Sequence, residues 1–158
     1  MSQLLIAMTN HTAEIDWKAD TSGFVLERTA RRMKQFVQEH LTQAGAGITV
    51  DQWLILQELD RQDGQSQLDI AKATYKDPPT MTRILDILVE KGLVHRAHDP
   101  ADRRRFNILL TPAGRSKIEE VLPLVRAARR EAWGGLSEPE MAELTRMLDA
   151  VFQHLQGQ

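Results

Sequence analysis

Cysteine is absent from the 158-residue sequence, and its absence excludes several functions. The chain can form no disulfide, no thiolate metal site, no cysteine nucleophile and no cysteine redox switch. A glycine-rich phosphate loop and a nucleophile elbow are also missing. No apolar run is long enough to span a membrane, and the patch Leu4 to Met8 lacks the basic flank of a secretion signal. These features favour a cytoplasmic protein that is not an enzyme.

A strong overall charge is lacking too, because 20 Lys and Arg residues are balanced by 22 Asp and Glu residues. The charge is concentrated locally. Between Lys91 and Arg105 there are three more basic than acidic residues, in front of an alternating apolar run. A basic stripe on a nearly neutral protein is typical of a nucleic-acid-binding surface. A solvated, salt-bridged loop is the commoner explanation for a charge run taken alone.

Apolar residues spaced three and four apart predict that most of the chain is helical. One long amphipathic helix is predicted from Thr21 to about Gln43. A second helix starts after Thr49 and ends before Asp63-Gly64, where glycine interrupts the pattern. Ser66 is placed to cap a short third helix that runs through Thr74.

Asp77, followed by two prolines, predicts the start of a fourth helix, because aspartate caps free amides and proline is tolerated in the first turn. At 100° per residue, this helix has one apolar face and one polar face. The apolar face consists of Met81, Ile84, Leu85 and Leu88. The polar face consists of Pro79, Arg83, Asp86 and Glu90. Gly92 is expected to close the helix in a left-handed conformation.

Two strands, Leu93 to Ala97 and Arg105 to Leu110, are predicted on either side of the basic turn. A long helix then runs from Thr111-Pro112 to about Trp133, and a last helix opens at Ser137. We expect an apolar stripe on the last helix to pair two copies of the chain, because no further domain covers it. Packing within one chain is the alternative. The stripe consists of Met141, Leu144, Leu148, Val151 and Leu155.

Three helices followed by a hairpin predict a mainly α fold with a small β-hairpin wing, a winged helix-turn-helix. We place this DNA-binding domain at 49–111, the helical dimerisation region at 21–48 and 112–158, and an N-terminal extension at 1–20. In such a domain one helix fits the DNA major groove, and hairpin arginines reach the neighbouring minor groove. The candidate DNA-binding residues are Ser66, Gln67, Thr80, Thr82, Arg83, Arg103, Arg104 and Arg105.

Each DNA-binding candidate has a structural alternative. Threonines near a helix start are often capping residues, and the three arginines can pair with Asp99 and Asp102 across the turn. Strand alternation predicts opposite faces for Arg104 and Arg105. We expect Asp99 and Asp102 to structure the wing. Asp102 and Arg104 either pair or share a hydrogen-bonded turn, which leaves Arg103 and Arg105 freer to meet phosphate or the minor groove.

The most specific stretch runs from Leu68 to Gly114 and reads LDIAKATYKDPPTMTRILDILVEKGLVHRAHDPADRRRFNILLTPAG. It contains Pro-Thr-x-Thr-Arg, Lys-Gly-Leu-Val, Asp-x-Arg and Leu-Thr-x-x-Gly. In these motifs the chain resembles the MarR family of bacterial transcriptional regulators. The resemblance implies a sequence-specific DNA-binding homodimer, commonly a repressor. Two departures stand out: Thr74-Tyr75-Lys76 replaces the usual leucine, glycine and aliphatic residue, and Ala101 stands where a basic residue is frequent.

The resemblance also implies a small effector, often aromatic or anionic, in a crevice between the dimer helices and the DNA-binding lobe. The residues that can line such a crevice are Met33, Phe36, His40 and Trp53. Each of these residue types is more often part of a core.

Two other functions stay open at this point. A winged-helix module can bind protein in place of DNA, although the wing arginines argue against it. A metal-dependent enzyme is suggested by His95-x-x-His98 together with Asp99 and Asp102, but a strand places residues three apart on opposite faces. We therefore expect no metal and no cofactor.

Overall fold

The computed structural model describes the backbone of residues 17–102 and 104–157, and their side chains from residue 21 onwards. These residues form α1 (Trp17–Gln43), α2 (Val50–Arg61), β1 (Gln65–Ser66), α3 (Gln67–Ala73), α4 (Pro78–Glu90), β2 (Val94–His98), β3 (Phe106–Leu110), α5 (Pro112–Ala132) and α6 (Glu138–Gln156). The predicted mainly helical fold with a β-hairpin wing is confirmed. None of the described helices combines the length and the apolar content that crossing a bilayer requires.

The chain divides into two compact units after Met33. In the first unit the described residues belong to the N-terminal part of α1, where Phe24 is exposed and the Arg28 guanidinium lies 5.6 Å from its ring centroid. This helix begins at Trp17, earlier than the predicted start at Thr21. Residues 1–16 of the predicted extension lie outside the described residues. The second unit contains all the other elements.

Local capping signals set the helix boundaries in the second unit. The Thr49 hydroxyl accepts from the Gln52 N–H, and the Gln52 side chain accepts from the Thr49 N–H, both at 3.2 Å. This capping box satisfies two amides that the start of α2 would otherwise leave free. The Asp77 carboxylate does the same for the Thr80 N–H at 2.9 Å. Gly92 follows α4 with φ +69°, a conformation in which glycine has no Cβ penalty.

The two wing strands pair antiparallel, in a register that runs from Val94 opposite Leu110 to His98 opposite Phe106. The sequence predicted that Arg105 begins the second strand. β3 begins at Phe106, so Arg105 lies in the turn. Strand alternation therefore does not apply to Arg104 and Arg105, and the expectation that they face opposite sides stays a prediction.

A third strand, β1, completes the sheet in the order β1-β3-β2 and was not predicted. It pairs Gln65 with Ile108 and Ser66 with Asn107. Two residues are too few to show an alternating pattern, so the sequence carried no signal for it. The short strand anchors the start of α3 to the wing.

The core of the second unit is formed by the apolar faces of the helices around the sheet. The face of α4 that was predicted to be apolar is the buried one. Burying each of these large side chains stabilises the fold by about 1.5–3 kcal/mol. α5 starts so close to the wing that a Cβ on Gly114 would lie 2.1 Å from the Leu93 carbonyl oxygen, so only glycine fits there. The largest fully buried side chains include Trp53, Leu56, Leu59, Ile70, Met81, Leu85, Leu88 and Ile108.

Candidate nucleic-acid interface

The side of α4 that faces away from the core carries Arg83, which the sequence assigned to the polar face, with Thr80 and Thr82 beside it. Thr82 and Arg83 are exposed and Thr80 is half-buried, while Met81 and Leu85 fix the opposite face in the core. A helix held in this way presents its first turns to the outside without freedom to rotate. This is the arrangement that a major-groove reading helix needs.

The hydroxyls of Thr80 and Thr82 both take part in hydrogen bonds within the domain. Thr80 donates to the Asp77 carboxylate at 2.7 Å, and Thr82 donates to the Pro78 carbonyl at 3.0 Å. Thr82 also accepts from the Gln67 side-chain amide at 2.6 Å. A hydroxyl has one hydrogen and two lone pairs, so both threonines keep capacity to accept a further hydrogen bond. In this arrangement each hydroxyl can accept from a further donor, while its own hydrogen is already engaged.

Ser66 caps α3, as the sequence predicted. Its hydroxyl accepts from the Asp69 N–H at 3.2 Å and donates to the Asp69 carboxylate at 2.6 Å. The sequence interpretation missed Asp69, an acidic residue in the first turn of α3, where a negative charge stabilises the helix start. Its negative charge lies at the helix start where Ser66 and Gln67 are the candidate DNA-binding residues. The described geometry thus gives Ser66 a structural role, and its contact with DNA stays a prediction.

Two aspartates build the turn of the wing by accepting hydrogen bonds from the backbone. Asp99 accepts from the N–H groups of Ala101 at 2.7 Å and Asp102 at 3.3 Å, and from the Asn107 side chain at 3.2 Å. The Ala101 N–H and these neighbours lower the pKa of Asp99 below its usual value, in spite of some desolvation. Asp102 accepts from the Arg104 N–H at 3.0 Å. The hydrogen-bonded turn, one of the two predicted arrangements, is the one that the structure shows for this pair.

The described wing arginines lie at the surface of this turn, and the charge of Arg105 contributes to the lowered pKa of Asp99. Arg104 and Arg105 are exposed, and neither side chain forms an ion pair with another described residue. Arg103 lies outside the described residues. Arg96, at the base of the wing, is bound to Asp86 at 2.6 Å and so ties β2 to α4. The geometry brings the polar face of one helix and a cationic hairpin together in one domain.

Comparison with known proteins agrees with this geometry. The MarR family profile matches residues 48–106. The solved structure of Bordetella bronchiseptica BpsR, described for regulation of its DNA binding by 6-hydroxynicotinic acid, is 30% identical with a TM-score of 0.76, and the match covers 83% of this chain and 98% of that one. The chain belongs to the MarR family of transcriptional regulators.

Two further MarR structures show how far the likeness extends. A mutant of Escherichia coli MarR in complex with operator DNA is 25% identical, with a TM-score of 0.79, over 87% of this chain and 98% of that one. A MarR-family regulator from Rhodococcus sp. RHA1 is 27% identical, with a TM-score of 0.75, over 84% and 93%. The likeness thus extends beyond the winged domain into the flanking helices.

The turn before α4, where this MarR chain departs from the usual sequence, has an unusual backbone. Tyr75 takes φ +52°, a left-handed conformation that costs a non-glycine residue energy. Its ring is 69% exposed and meets Phe152 edge-on, with centroids 5.7 Å apart, and its hydroxyl accepts from Gln156 at 3.0 Å. Two side chains of α6, Phe152 and Gln156, therefore contact the residue whose backbone is strained.

The residues proposed for a MarR-type effector crevice occupy different environments. Trp53 is 1% exposed in the core, and its indole N–H has no partner among the described residues. Phe36 and His40 are half-buried, with ring centroids 4.4 Å apart. His40 is already bound to the Phe36 carbonyl at 2.9 Å and to Glu131 at 3.2 Å, contacts that raise its pKa above 6.5. Met33 belongs to the first unit, and effector binding by this set stays a prediction.

The stripe on α6 that was predicted to pair two MarR chains lies at the surface. Leu148, Val151 and Leu155 are exposed, Leu155 to 64%, while Met141 and Leu144 are half-buried. Phe152, which the sequence analysis left out, is exposed beside them. No side chain of α6 is buried within the described chain. The self-association itself stays a prediction.

The histidines of the wing show no arrangement typical of catalysis. The His98 ring lies on Phe106, with centroids 4.5 Å apart. Across the described ranges, no three His, Asp or Glu side chains are placed to share a metal ion. Pairing of His95 with His98 on one ion thus has no geometric support there.

Proposed function

We propose that this MarR-family chain is a sequence-specific DNA-binding repressor that acts as a homodimer in the cytoplasm. The observation that carries the proposal is the polar outer face of α4, displayed beside a wing whose exposed arginines stand on a turn built by aspartates. The complex of the related Escherichia coli MarR mutant with operator DNA supports the same use of this architecture.

In this proposal α4 and the wing have different roles in DNA binding. Arg83 reaches base edges in the major groove, where a guanidinium can bind guanine with two hydrogen bonds. Thr80 and Thr82 accept hydrogen bonds from base donors. The wing arginines Arg104 and Arg105, with Arg103, meet phosphates or a narrow minor groove and supply affinity that depends on salt.

A dimer follows from the apolar stripe of α6, because solvent contact of Leu148, Val151 and Leu155 is unfavourable in an isolated chain. Two-fold symmetry then gives the dimer two copies of α4 and its wing that can contact DNA. The operator is a pseudo-palindrome whose half-sites lie about 10 base pairs apart, centre to centre. A dimer bound across a promoter blocks transcription, and a small aromatic or anionic effector relieves the block. The regulation of DNA binding by 6-hydroxynicotinic acid in the related BpsR supports an effector of this kind.

Selection of genomic fragments on the purified protein, followed by sequencing, tests this proposal. We expect enrichment of one pseudo-palindromic motif over random duplex. Equal binding to all fragments would contradict sequence-specific recognition. Binding to none would favour the alternative winged-helix module that binds protein.

The dimer needs a separate test by sedimentation at micromolar concentration. Val151→Asp places a charge on the stripe and should shift the protein to monomer. Leu68→Asp is the matched control, because Leu68 is an equally exposed apolar side chain on α3, outside the stripe. A wild-type monomer would contradict the proposal.

A further inference from the structure

The hydroxyl of Thr80, in the first turn of α4, forms a hydrogen bond whose direction is fixed by its partner. One oxygen of the Asp77 carboxylate lies 2.7 Å from this hydroxyl, and the other accepts the Thr80 N–H at 2.9 Å. An ionised carboxylate accepts hydrogen bonds and donates none. The Thr80 hydroxyl is therefore the donor in this pair.

Asp77 keeps its negative charge at neutral pH. The N–H of Thr80 and then its hydroxyl hold the pKa of Asp77 below the usual 3.8, in spite of some desolvation, and the charge of Lys76 adds to the effect. A carboxyl group with a lowered pKa has no proton to donate at pH 7. Asp77 thus stays an acceptor, and it engages the one hydrogen that the Thr80 hydroxyl has.

Thr82 differs from Thr80 in the partner of its hydrogen. Its hydroxyl donates to the Pro78 carbonyl, a neutral acceptor, at 3.0 Å. A hydrogen bond to a charged group is roughly twice as strong as a bond between neutral groups. Turning the Thr82 hydrogen towards a base exchanges one neutral bond for another, whereas turning the Thr80 hydrogen loses a charge-assisted bond. The direction is therefore fixed more firmly at Thr80 than at Thr82.

A hydroxyl that can only accept distinguishes two kinds of base in the major groove. Adenine N6 and cytosine N4 are amino groups that donate, while guanine O6 and thymine O4 are keto oxygens that accept. Thr80 is half-buried in the first turn of α4, the part of a recognition helix that contacts base edges. On the strand that it contacts, Thr80 can bind an amino base, whereas a keto oxygen would meet its lone pairs.

We infer that Asp77 is a positioning residue that sets the base preference of α4, because it makes Thr80 select adenine or cytosine over guanine or thymine. The inference rests on the proposed function, since the preference exists only if Thr80 reaches a base. Asp77 itself needs no contact with DNA for this role. If Asp77 only capped α4, its replacement would change the affinity for all operators alike.

Asp77→Asn separates positioning from capping. Asparagine and aspartate are equally good N-caps, so the start of α4 is kept. The side-chain oxygen still accepts the Thr80 N–H, while the new amide group faces the Thr80 hydroxyl and donates to it. The hydroxyl hydrogen is then released to bind a keto oxygen. We expect the base preference to invert and not simply to weaken.

The test measures the affinity of the full-length protein for operator duplexes from the genomic selection, changed symmetrically in both half-sites. Each comparison stays within one ring class, adenine against guanine or cytosine against thymine. Thr80→Val, which removes the hydroxyl, locates the contacted position as the one where the preference disappears. There the wild type should favour the amino base by about fivefold, and Asp77→Asn should favour the keto base. Asp60→Asn, which neutralises an exposed aspartate of α2, is the matched charge control and should keep the wild-type preference.

Two results would overturn the inference alone, while the wild type still selects one operator and the proposed function stands. The first is a folded Asp77→Asn variant that keeps the wild-type amino preference, with its helix content verified by circular dichroism. The second is a Thr80→Val variant that keeps the wild-type preference at every position, because Thr80 then reads no base. A wild type that binds all duplexes equally would overturn the proposed function and this inference together.

Discussion

The side-chain amide of Gln67, at the start of α3, donates a hydrogen bond to the Thr82 hydroxyl on α4 at 2.6 Å. This bond joins the two helices of the helix-turn-helix at their exposed side. Gln67 and Thr82 are both candidate DNA-binding residues from the sequence. Because they hold each other, we expect them to act on DNA as one unit.

A double-mutant cycle in operator affinity measures this coupling. Gln67→Ala and Thr82→Ala should each weaken binding, and the double variant should lose less than the sum, with a coupling of about 0.5–1 kcal/mol. Gln67→Ala combined with Arg83→Ala is the control pair and should be additive to within about 0.5 kcal/mol. Additive losses for Gln67 and Thr82 would show that the two residues contact DNA independently.

Removal of a negative charge from the wing should weaken DNA binding. The Asp102 carboxylate holds the Arg104 N–H at 3.0 Å, so Asp102→Ala loosens the turn that positions the arginines. Simple electrostatics predicts the opposite, because deletion of an acidic residue near DNA reduces repulsion. Measuring the DNA affinity of Asp102→Ala at several salt concentrations distinguishes the structural role from simple electrostatics. Asp60→Ala, an exposed aspartate on α2, should leave affinity nearly unchanged, and tighter binding by Asp102→Ala would refute the structural role.

Asp51 links α1 to the turn before α4. Its carboxylate binds Lys34 at 2.9 Å and Lys76 at 2.6 Å. Burial alone would raise the pKa of Asp51, but the hydrogen bonds from the two lysines outweigh it and hold the pKa below its usual 3.8. The bridge therefore stabilises the fold above that pH, and the contribution is lost as the pH falls through the lowered pKa.

We expect Asp51→Asn to reduce the free energy of unfolding by about 1 kcal/mol at pH 7, with the difference shrinking as the pH falls through the lowered pKa of Asp51. Urea denaturation at a series of pH values measures it. Because Asp51 belongs to a lysine bridge and not to the DNA surface, the salt dependence of operator binding should keep its slope. A stability difference that grows on acidification would contradict the sign of this linkage.

The left-handed backbone at Tyr75 predicts that glycine is tolerated better than alanine at this position. Tyr75→Ala loses the contacts with Phe152 and Gln156 and keeps the strain, whereas Tyr75→Gly loses the same contacts and relieves the strain. The glycine variant should be more stable than the alanine variant by about 1 kcal/mol. Thermal unfolding of the two variants side by side shows the difference. An alanine variant as stable as the glycine one would mean that the turn adopts another conformation in solution.

Features encoded by neighbouring residues could be predicted from the sequence, and features created by tertiary contacts could not. Asp77 and its two prolines, the capping serine Ser66 and the apolar face of α4 all appeared where local rules placed them. The backbone bonds of the wing aspartates also follow from a short-range pattern. Each of these signals spans only a few residues.

The remaining site features depend on residues far apart in the chain. The bond from Gln67 to Thr82 spans 15 positions, and that from Gln156 to Tyr75 spans 81. β1 is too short to show a period, and its partner is set by the path of β3.

The most direct test of the central claim, that α4 reads DNA bases, is the affinity of Arg83→Ala for a panel of operators in which each base pair is changed in turn. We predict that the variant loses about 1–3 kcal/mol of discrimination at one symmetric pair of positions, while its affinity for random duplex changes little. If the variant discriminates among the operators as the wild type does, α4 is not the helix that recognises the sequence.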